Sequence, residues 1–524
     1  MAPLKKRANS QTTMLQHEDN ESTPLLSSSQ AQNDGVKKRQ LFQTPQSIVL
    51  GLLAVVILTS FGDMLEEAPI ARIYEAVLCY EHYEEYDSSK IKIPRSELGP
   101  GAIGGVDELW CKQADPVQND LAMLNGIQLF LDGFPCLLLA VPFGWLADRY
   151  GRKPFIMLNL IQFMARTCWA QFVAWQWQFF DVRALWAQSL FCVLGGGAPT
   201  ASALFFCAIS DVVPEKDRAN AFLRLSAANL SASLFMPPLA ALLMEKTPWI
   251  PSLVGAVLMA LAVVLYLFVP ETLNYAGHSG PAAADSALGP PEPAVSNLPI
   301  SRNFLVRYTD KVRTTMAFLT RDYRVPLLIL PFLTHILITG TGQLLLQYIS
   351  KRYTLTFSSA TLVITVRNAV QVALLFTILP FVSTFVMTKL GLSSQRKDLY
   401  LARISQILVT IGWLAVAASP NIPTVGISLA IASLGQGATT LIRSFLSSIL
   451  PADEIARTYS VIAIVDTLGI MLGSPLLAEL FKKDIGLPFW ALGGSNAFFV
   501  VLLFAIPIRK GEESAITARH EATE

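Results

Sequence analysis

Twelve stretches of mostly apolar residues decide what this chain can become. They lie near 47–66, 118–142, 155–175, 186–210, 219–244, 250–269, 325–349, 360–388, 399–418, 422–448, 458–480 and 486–508. A helix needs about 20 such residues to cross the hydrocarbon core, where it alone can satisfy its own backbone without closing into a barrel. Composition agrees, with 52% hydrophobic and only 15% charged residues in a chain of 524. A soluble domain carries roughly 25% charged residues, so a soluble enzyme, a disordered chain and a secreted disulfide scaffold all fit poorly. Lys and Arg total 40 against 39 Asp and Glu, which leaves no basic field for nucleic acid. The first stretch is not a cleavable signal, because a long polar tail precedes it and no small-residue cleavage site follows. The fold class is all-α integral membrane, with twelve transmembrane helices and the lipid bilayer as first partner.

Two polar segments interrupt the series: an outer loop 67–117 and a linker 271–324, whose Ala-, Gly- and Pro-rich run 280–293 reads as flexible. The expected organisation is a disordered tail 1–45, a six-helix lobe 46–270, the linker, a second six-helix lobe 325–509 and a short tail 510–524. Placing the N-terminus in the cytoplasm puts 25 of the 40 Lys and Arg on inner segments. The positive-inside bias therefore predicts that both termini are cytoplasmic.

The two lobes read as copies. Leu194-Gly195-Gly196-Gly197-Ala198-Pro199-Thr200 returns as Leu434-Gly435-Gln436-Gly437-Ala438-Thr439-Thr440, an offset of 240. Pro142-Phe143 returns as Pro380-Phe381 at 238, and Pro214, Ala219, Phe222, Asn229 and Pro238 meet Pro451, Ala456, Tyr459, Asp466 and Pro475 at 237. Three matches in one order and nearly one register equate spans 2, 4 and 5 with spans 8, 10 and 11. A duplicated bundle with a loose central linker suggests two lobes rocking about a site between them.

Between spans 2 and 3 stands Gly144-Trp145-Leu146-Ala147-Asp148-Arg149-Tyr150-Gly151-Arg152-Lys153. This resembles the G-x-L-a-D-r-x-G-r-k signature of the major facilitator superfamily, in that family's usual place, and the twelve-span pattern extends the resemblance over roughly 46–509. Its glycines are expected to let two helix ends approach closely, with Asp148 near basic residues or a helix N-terminus. The resemblance implies a cytoplasmic latch of Gly144, Asp148, Arg149, Gly151 and Arg152 that favours the outward-open state; a plain positive-inside anchor is the alternative. Pro69, Glu75 and Cys79, with Ser210-Asp211-Val212-Val213-Pro214, are similar to fungal members. Two departures weigh against proton antiport. Phe191 and Val193 stand where many proton-coupled members carry an arginine before the glycines, and Met236-Pro237-Pro238 replaces the glycine motif of drug antiporters in span 5.

Charges inside a span are costly, so each needs a reason. Asp132 and Arg166 lie at matching depth in antiparallel spans and can form an ion pair, or one can be a coupling site. Asp466 is mid-span, with Asn229 as its repeat partner. In the family fold, spans 1, 4, 7 and 10 line the cavity while 2, 5, 8 and 11 bound it, which by resemblance lets Asp132, Asp466 and Arg367 face it. His335 is the one histidine of five inside a span, able to carry a coupling proton or simply to hydrogen-bond in the bundle. Arg443 can bind an anionic group or snorkel to headgroups. With Asp132 occupied by Arg166, Asp466 and His335 are the preferred proton-coupling pair. Gln128, Gln343, Gln347, Trp186, Phe205 and Phe206 suggest a mixed polar and aromatic cavity for an amphipathic organic molecule.

Four of the six cysteines fall in spans, leaving Cys79 and Cys111 as a disulfide pair on the oxidising outer side. Glu21, Leu25 and Leu26 resemble an acidic dileucine signal for sorting adaptors, so a vacuolar or endosomal membrane stands beside the plasma membrane. No Gly-Lys pair exists to close a phosphate loop, which excludes an ATP-driven pump. No cofactor or metal site is expected. The reading is a monomeric, non-enzymatic secondary transporter that moves a small organic solute by alternating access, in the efflux direction and with ion or proton coupling. A facilitative or proton-coupled importer, or a non-transporting nutrient receptor on the same fold, is the alternative.

Overall fold

The computed structural model describes residues 44–273, 323–382, 385, 394–450 and 452–506. The tail with Glu21, Leu25 and Leu26, most of the 271–324 linker and the C-terminal tail lie outside these residues. Among the described residues every regular element is helical. Helix α1 runs Pro45–Tyr86 and begins on a reciprocal cap: Thr44 Oγ1 accepts the Ser47 amide, and Ser47 Oγ accepts the Thr44 amide. A short α2 (Glu108–Gln113) precedes α3 (Asp115–Tyr150) and α4 (Arg152–Trp175). The next rod is broken, a 3-10 segment Val182–Phe191 followed by α5 (Cys192–Gly195) and α6 (Gly197–Val212), and then come α7 (Glu215–Met244) and α8 (Trp249–Phe268).

The second half repeats this plan. Helices α9 (Arg324–Ile329), α10 (Phe332–Gly340) and α11 (Gly342–Arg352) make one broken rod, followed by α12 (Phe357–Ala373) and α13 (Ser394–Ala418). Another broken rod joins α14 (Ile422–Leu434) to α15 (Ala438–Ile449), and α16 (Ala452–Lys483) and α17 (Leu487–Phe504) complete the set. Leaving out the short α2 and counting each broken rod once gives twelve among the described residues, six in each half. Ten are long and apolar enough to cross a membrane by length and composition. The other two, α4 and α9–α11, carry buried polar residues such as Asn159, Gln162, Gln171 and Gln347. Outward, α8 presents Leu253, Val257, Leu261, Val264 and Leu267 as an exposed apolar stripe at helical spacing, the surface a bilayer covers.

One boundary differs from the sequence expectation. The first helix does not end at 66 with a loop from 67; it continues unbroken through Pro69 to Tyr86. Beyond Pro69, Arg72 pairs with Glu108 and Glu75 with Lys112, so hydropathy falls while the helix persists. The repeated glycines fall at the breaks of the fourth and tenth rods. A Cβ on Gly195 would stand 2.5 Å from Asn159 Cα, and one on Gly435 would stand 2.4 Å from Ser405 O, so α4 and α13 lie against bare backbone. Gly196 and Gly197 also hold φ of +76° and +78°, which favours glycine.

The apolar cores reveal the conformation. At the end that carries Cys79, one continuous core draws on both halves, joining Tyr74, Tyr80, Leu121 and Trp177 to Leu345, Tyr348, Trp413 and Phe489. Toward Asp148 the halves keep separate cores. One gathers Ile48, Ile156, Ile209 and Tyr266, the other Val325, Leu399, Phe445 and Leu503. The halves meet along α3 and α16, where Cβ atoms on Gly126 and Gly133 would approach Ser474 O to 3.0 Å and Met471 to 2.9 Å. They meet again along α7 and α12, where Asn368 donates to Ser233 O at 2.7 Å and Ser358 to Ala241 O at 2.8 Å.

Candidate functional site

A cavity of about 390 Å³ lies where the halves meet, lined from α1, α3, α4, the fourth rod, α8, α10–α11 and α16. That is within the roughly 300–1,000 Å³ common for small-molecule sites. Helix α1 supplies its most distinctive wall. Asp63, Glu66, Glu67, Ile70 and Tyr74 recur at the three- and four-residue spacing that puts side chains on one face. Gly62 sets this face in place: its missing side chain lets α1 touch α8, where a Cβ would meet Gly255 O at 2.7 Å. Glu66 is buried and accepts Gln171 Nε2 at 3.1 Å. Glu67 lies beside Gly342 of the other half, where a Cβ would be 3.0 Å from its Oε1. Neither Asp63 nor Glu67 has a hydrogen bond or ion pair among the described residues. A second cavity of about 320 Å³ shares Asp63, Phe163 and Met259 with the first and adds Phe205, Phe206 and Asn229.

Asp132 and Arg166 meet, with Arg166 Nη2 2.5 Å from Asp132 Oδ2. The other carboxylate oxygen accepts Gln128 at 2.8 Å and Ser189 at 2.6 Å. This knot ties α3 and α4 to the fourth rod. Arg443 and Asp466 also meet, Nη2 to Oδ2 at 3.3 Å, with the Arg443 guanidinium 5.0 Å from the centroid of the Phe332 ring. Asp466 is therefore occupied by Arg443 as Asp132 is by Arg166. His335 Nε2 lies 3.3 Å from Thr439 Oγ1, a contact that fits the bundle-packing reading. Arg367 is buried, donates to Ile338 O at 3.5 Å and lies 6.0 Å from the Trp413 ring centroid. Neither Asp466, His335, Arg367 nor Arg443 lines either cavity. Gln128, Gln343 and Gln347 line the larger cavity, while Trp186 lines neither and donates to Leu124 O at 3.1 Å.

At the other end, the Gly144–Lys153 turn is tied to its own half. Asp148, with its side chain 64% exposed, pairs with Arg152, which also reaches Asp211 Oδ2 at 3.1 Å. Glu271 caps α4, accepting Arg152 N at 2.7 Å and Lys153 N at 3.0 Å. Gly151 makes that cap possible: it holds φ of +108°, and a Cβ there would be 2.4 Å from Glu271 Oε2. Arg149 lies 5.6 Å from the Trp145 and Tyr150 rings. Gly144 corrects the expectation of close approach at both glycines, since a Cβ on it would meet nothing within 4 Å.

The opposite end is closed by one ion pair, a hydrogen bond and the shared core. Cys79 and Cys111 are bonded, with Cα atoms 5.4 Å apart. This bond fastens α2 against α1, and Lys112 Nζ reaches Glu75 Oε2 at 2.6 Å in full burial. Across the halves, Glu108 Oε1 accepts the Phe357 amide at 2.8 Å, and Lys351 pairs with Asp115 at 2.7 Å.

Twelve rods in two halves, an apolar outer surface and a half-open cavity at the seam that carries charged and amide side chains define a multi-pass membrane transporter. The family model of the Major Facilitator Superfamily matches residues 121–474, and the chain belongs to that family. It is similar to the MFS efflux pump atnC of Emericella nidulans, 28% identical over 479 residues and covering 89% of each chain. It is also similar to the efflux pump ustT of Aspergillus flavus, 26% identical over 87% of this chain and 86% of that one. Among solved structures, the nucleoside transporter NupG shares the fold at a TM-score of 0.57 and 12% identity, covering 87% of this chain and 98% of that one. Its relatives are transporters, not enzymes.

The α1 carboxylates are the residues that sequence reasoning missed. Their signal was present but masked by Pro69: apart from it, nothing from Leu65 to Tyr86 is a Gly, Asn or Asp that would stop the helix, and the carboxylates repeat at helical spacing.

Proposed function

We propose that the protein is a secondary active transporter that exports a small organic solute by alternating access, with proton coupling. The observation that carries this reading is the division of the core: joined across both halves at the Cys79 end, separate at the Asp148 end. Such a molecule is poised to exchange one closed end for the other around a cavity that stays between them. The relatives named efflux pumps support the export direction. The topology that goes with this reading puts the Asp148 end and both termini in the cytoplasm, at the plasma membrane or a vacuolar or endosomal membrane. In it, Gly144, Asp148, Arg149, Gly151 and Arg152 form the latch, disengaged in this state.

A coupling proton needs a carboxylate or imidazole whose surroundings change as the halves move. Asp466 and His335 remain candidates, joined by Asp63 and Glu67, which face the cavity without a fixed partner. The test begins with an untargeted comparison of small molecules retained by cells with and without the protein. The solute found is then followed in proteoliposomes under an imposed pH difference, for wild type, Glu67→Gln, Asp466→Asn and His335→Gln. Wild-type flux should follow the pH difference and lose that dependence in the variant of the coupling residue. Flux indifferent to the gradient makes the protein a facilitator, and a folded protein that binds solute without moving it is a receptor.

A further inference from the structure

We infer that the solute is an organic cation, its ammonium or amidinium group held between Asp63 and Glu67 of α1 and the side-chain amide of Gln347 on α11. This rests on reading the cavity as the solute site.

The charge balance of the lining comes first. Four carboxylates line the cavity, Asp63, Glu66, Glu67 and Asp132, against one described cation, Arg166. That cation is paired with Asp132 at 2.5 Å and acts on Asp63 only electrostatically, without an ion pair. Glu66 is held by Gln171, but Asp63 and Glu67 have no hydrogen-bonded or ion-paired partner among the described residues. Arg367 acts on Glu67 electrostatically from α12, yet its guanidinium donates to the Ile338 carbonyl and makes no ion pair with it. Asp63 is exposed in the cavity and Glu67 is half-buried, so two unpaired carboxylates give this wall a negative potential that attracts a cation and that a bound cation neutralises.

The second observation is independent of charge. Gln347 is fully buried and lines the same cavity, and neither its Nε2 nor its Oε1 has a hydrogen-bond partner. The Gln128 Oε1 and Ser474 Oγ atoms, also buried on this wall, are likewise without partners. Buried polar atoms are nearly always satisfied, so a cluster of unsatisfied ones around a cavity points to a polar occupant. A proton alone would neutralise a carboxylate but would satisfy none of these amide and hydroxyl groups. An ammonium group presents several donors at once, which suits two carboxylates and an amide oxygen together. Phe163 and Tyr74 add aromatic surface on the same lining, suited to the apolar body or the charge of such a molecule.

The test uses the full-length protein purified in detergent, where binding is read without any requirement for transport. Tryptamine, tryptophol and indole-3-acetate share one ring system but are cationic, neutral and anionic at pH 7; tetraphenylphosphonium and tetraphenylborate form a second pair of like shape. Equilibrium dialysis should show each cation binding at least tenfold more tightly than its neutral or anionic counterpart. That preference should fall at least tenfold in Asp63→Asn and Glu67→Gln, and cation affinity should fall severalfold in Gln347→Leu, while Asp115→Asn at the closed end leaves it unchanged. If no cation outbinds its counterpart, or if the preference survives in the Asp63→Asn/Glu67→Gln double variant, the inference is wrong. Thermal unfolding of each variant excludes misfolding as the cause. Cation binding with no flux in proteoliposomes would overturn the transport reading alone, whereas flux of a neutral or anionic solute would overturn this one alone.

Discussion

Glu108 and Phe357 stand 249 residues apart and share a hydrogen bond, Glu108 Oε1 accepting the Phe357 amide at 2.8 Å. Phe357 begins α12, so the carboxylate sits at a helix N-terminus, where amides without intrahelical partners and the helix dipole both favour negative charge. Lys112 Nζ lies between, 3.4 Å from Glu108 and 3.2 Å from the Phe357 ring centroid. One half of the molecule thus caps a helix of the other.

Removing that cap should loosen the Cys79 end. A hydrogen bond to a charged group is worth about 1.5–3 kcal/mol. Glu108→Ala should therefore raise the population open at this end roughly tenfold or more. Amide exchange at the start of α12 reads it, and unchanged protection there would show that the Lys351–Asp115 pair and the shared core suffice.

The same contact sets a pH dependence. Burial alone would raise the Glu108 carboxyl, but Arg72, Lys112 and the Phe357 amide outweigh it and hold it below its ordinary 4.5. A lowered value means the contribution is complete above the ordinary carboxylate range and lost as pH falls through the lowered one. Protection at Phe357, corrected for intrinsic exchange, should be flat through neutral pH and decline only below the ordinary carboxylate range. A decline centred near neutrality would place control of this end on another group.

The Cys79–Cys111 bond closes a segment of sequence separation 32 and is buried at both ends. The chain-entropy model assigns about 3–4 kcal/mol to a loop of that length. Cys79→Ala/Cys111→Ala should lower the unfolding midpoint, as should reductant on the wild type, while mass mapping without reductant should recover the bonded peptide pair. Recovery of both thiols free in native protein would contradict the bond.

Asp132 and Arg166 should behave as a structural unit. Breaking a largely buried pair strands the remaining charge, at about 3–5 kcal/mol. Asp132→Asn should sharply reduce the folded yield, and adding Arg166→Gln should restore part of it in a double-mutant cycle on thermal stability. Additive losses would mean that the two groups act separately.

Asp148→Asn should leave stability within about 0.5 kcal/mol, as expected for an exposed charge. Its effect should fall on conformation instead. Spin labels placed across the Asp148 end should report a shift toward the separated arrangement, with lower maximal flux at normal expression. An unchanged distance distribution and unchanged flux would reduce this turn to a topological anchor.

The amino-acid sequence by itself determined the fold, because its signals are long and local. Twelve apolar stretches, a glycine run repeated at an offset of 240 and the Gly144–Lys153 turn need no tertiary knowledge to be read. The depth at which Asp132 and Arg166 meet was legible for the same reason, since helical rise converts residue number into distance. What the tertiary structure alone decided is which charges have partners. Arg443 reaches Asp466, but nothing in the spacing of residues 443 and 466 shows that their rods meet there. The carboxylates Asp63, Glu66 and Glu67 lower the hydropathy of α1, so apolar counting ends the span where the cavity wall begins. A helix tolerates such residues only when its neighbours supply what water would have supplied. Here those neighbours are Gln171 of α4, the space left by Gly342 of α11, and the cavity itself.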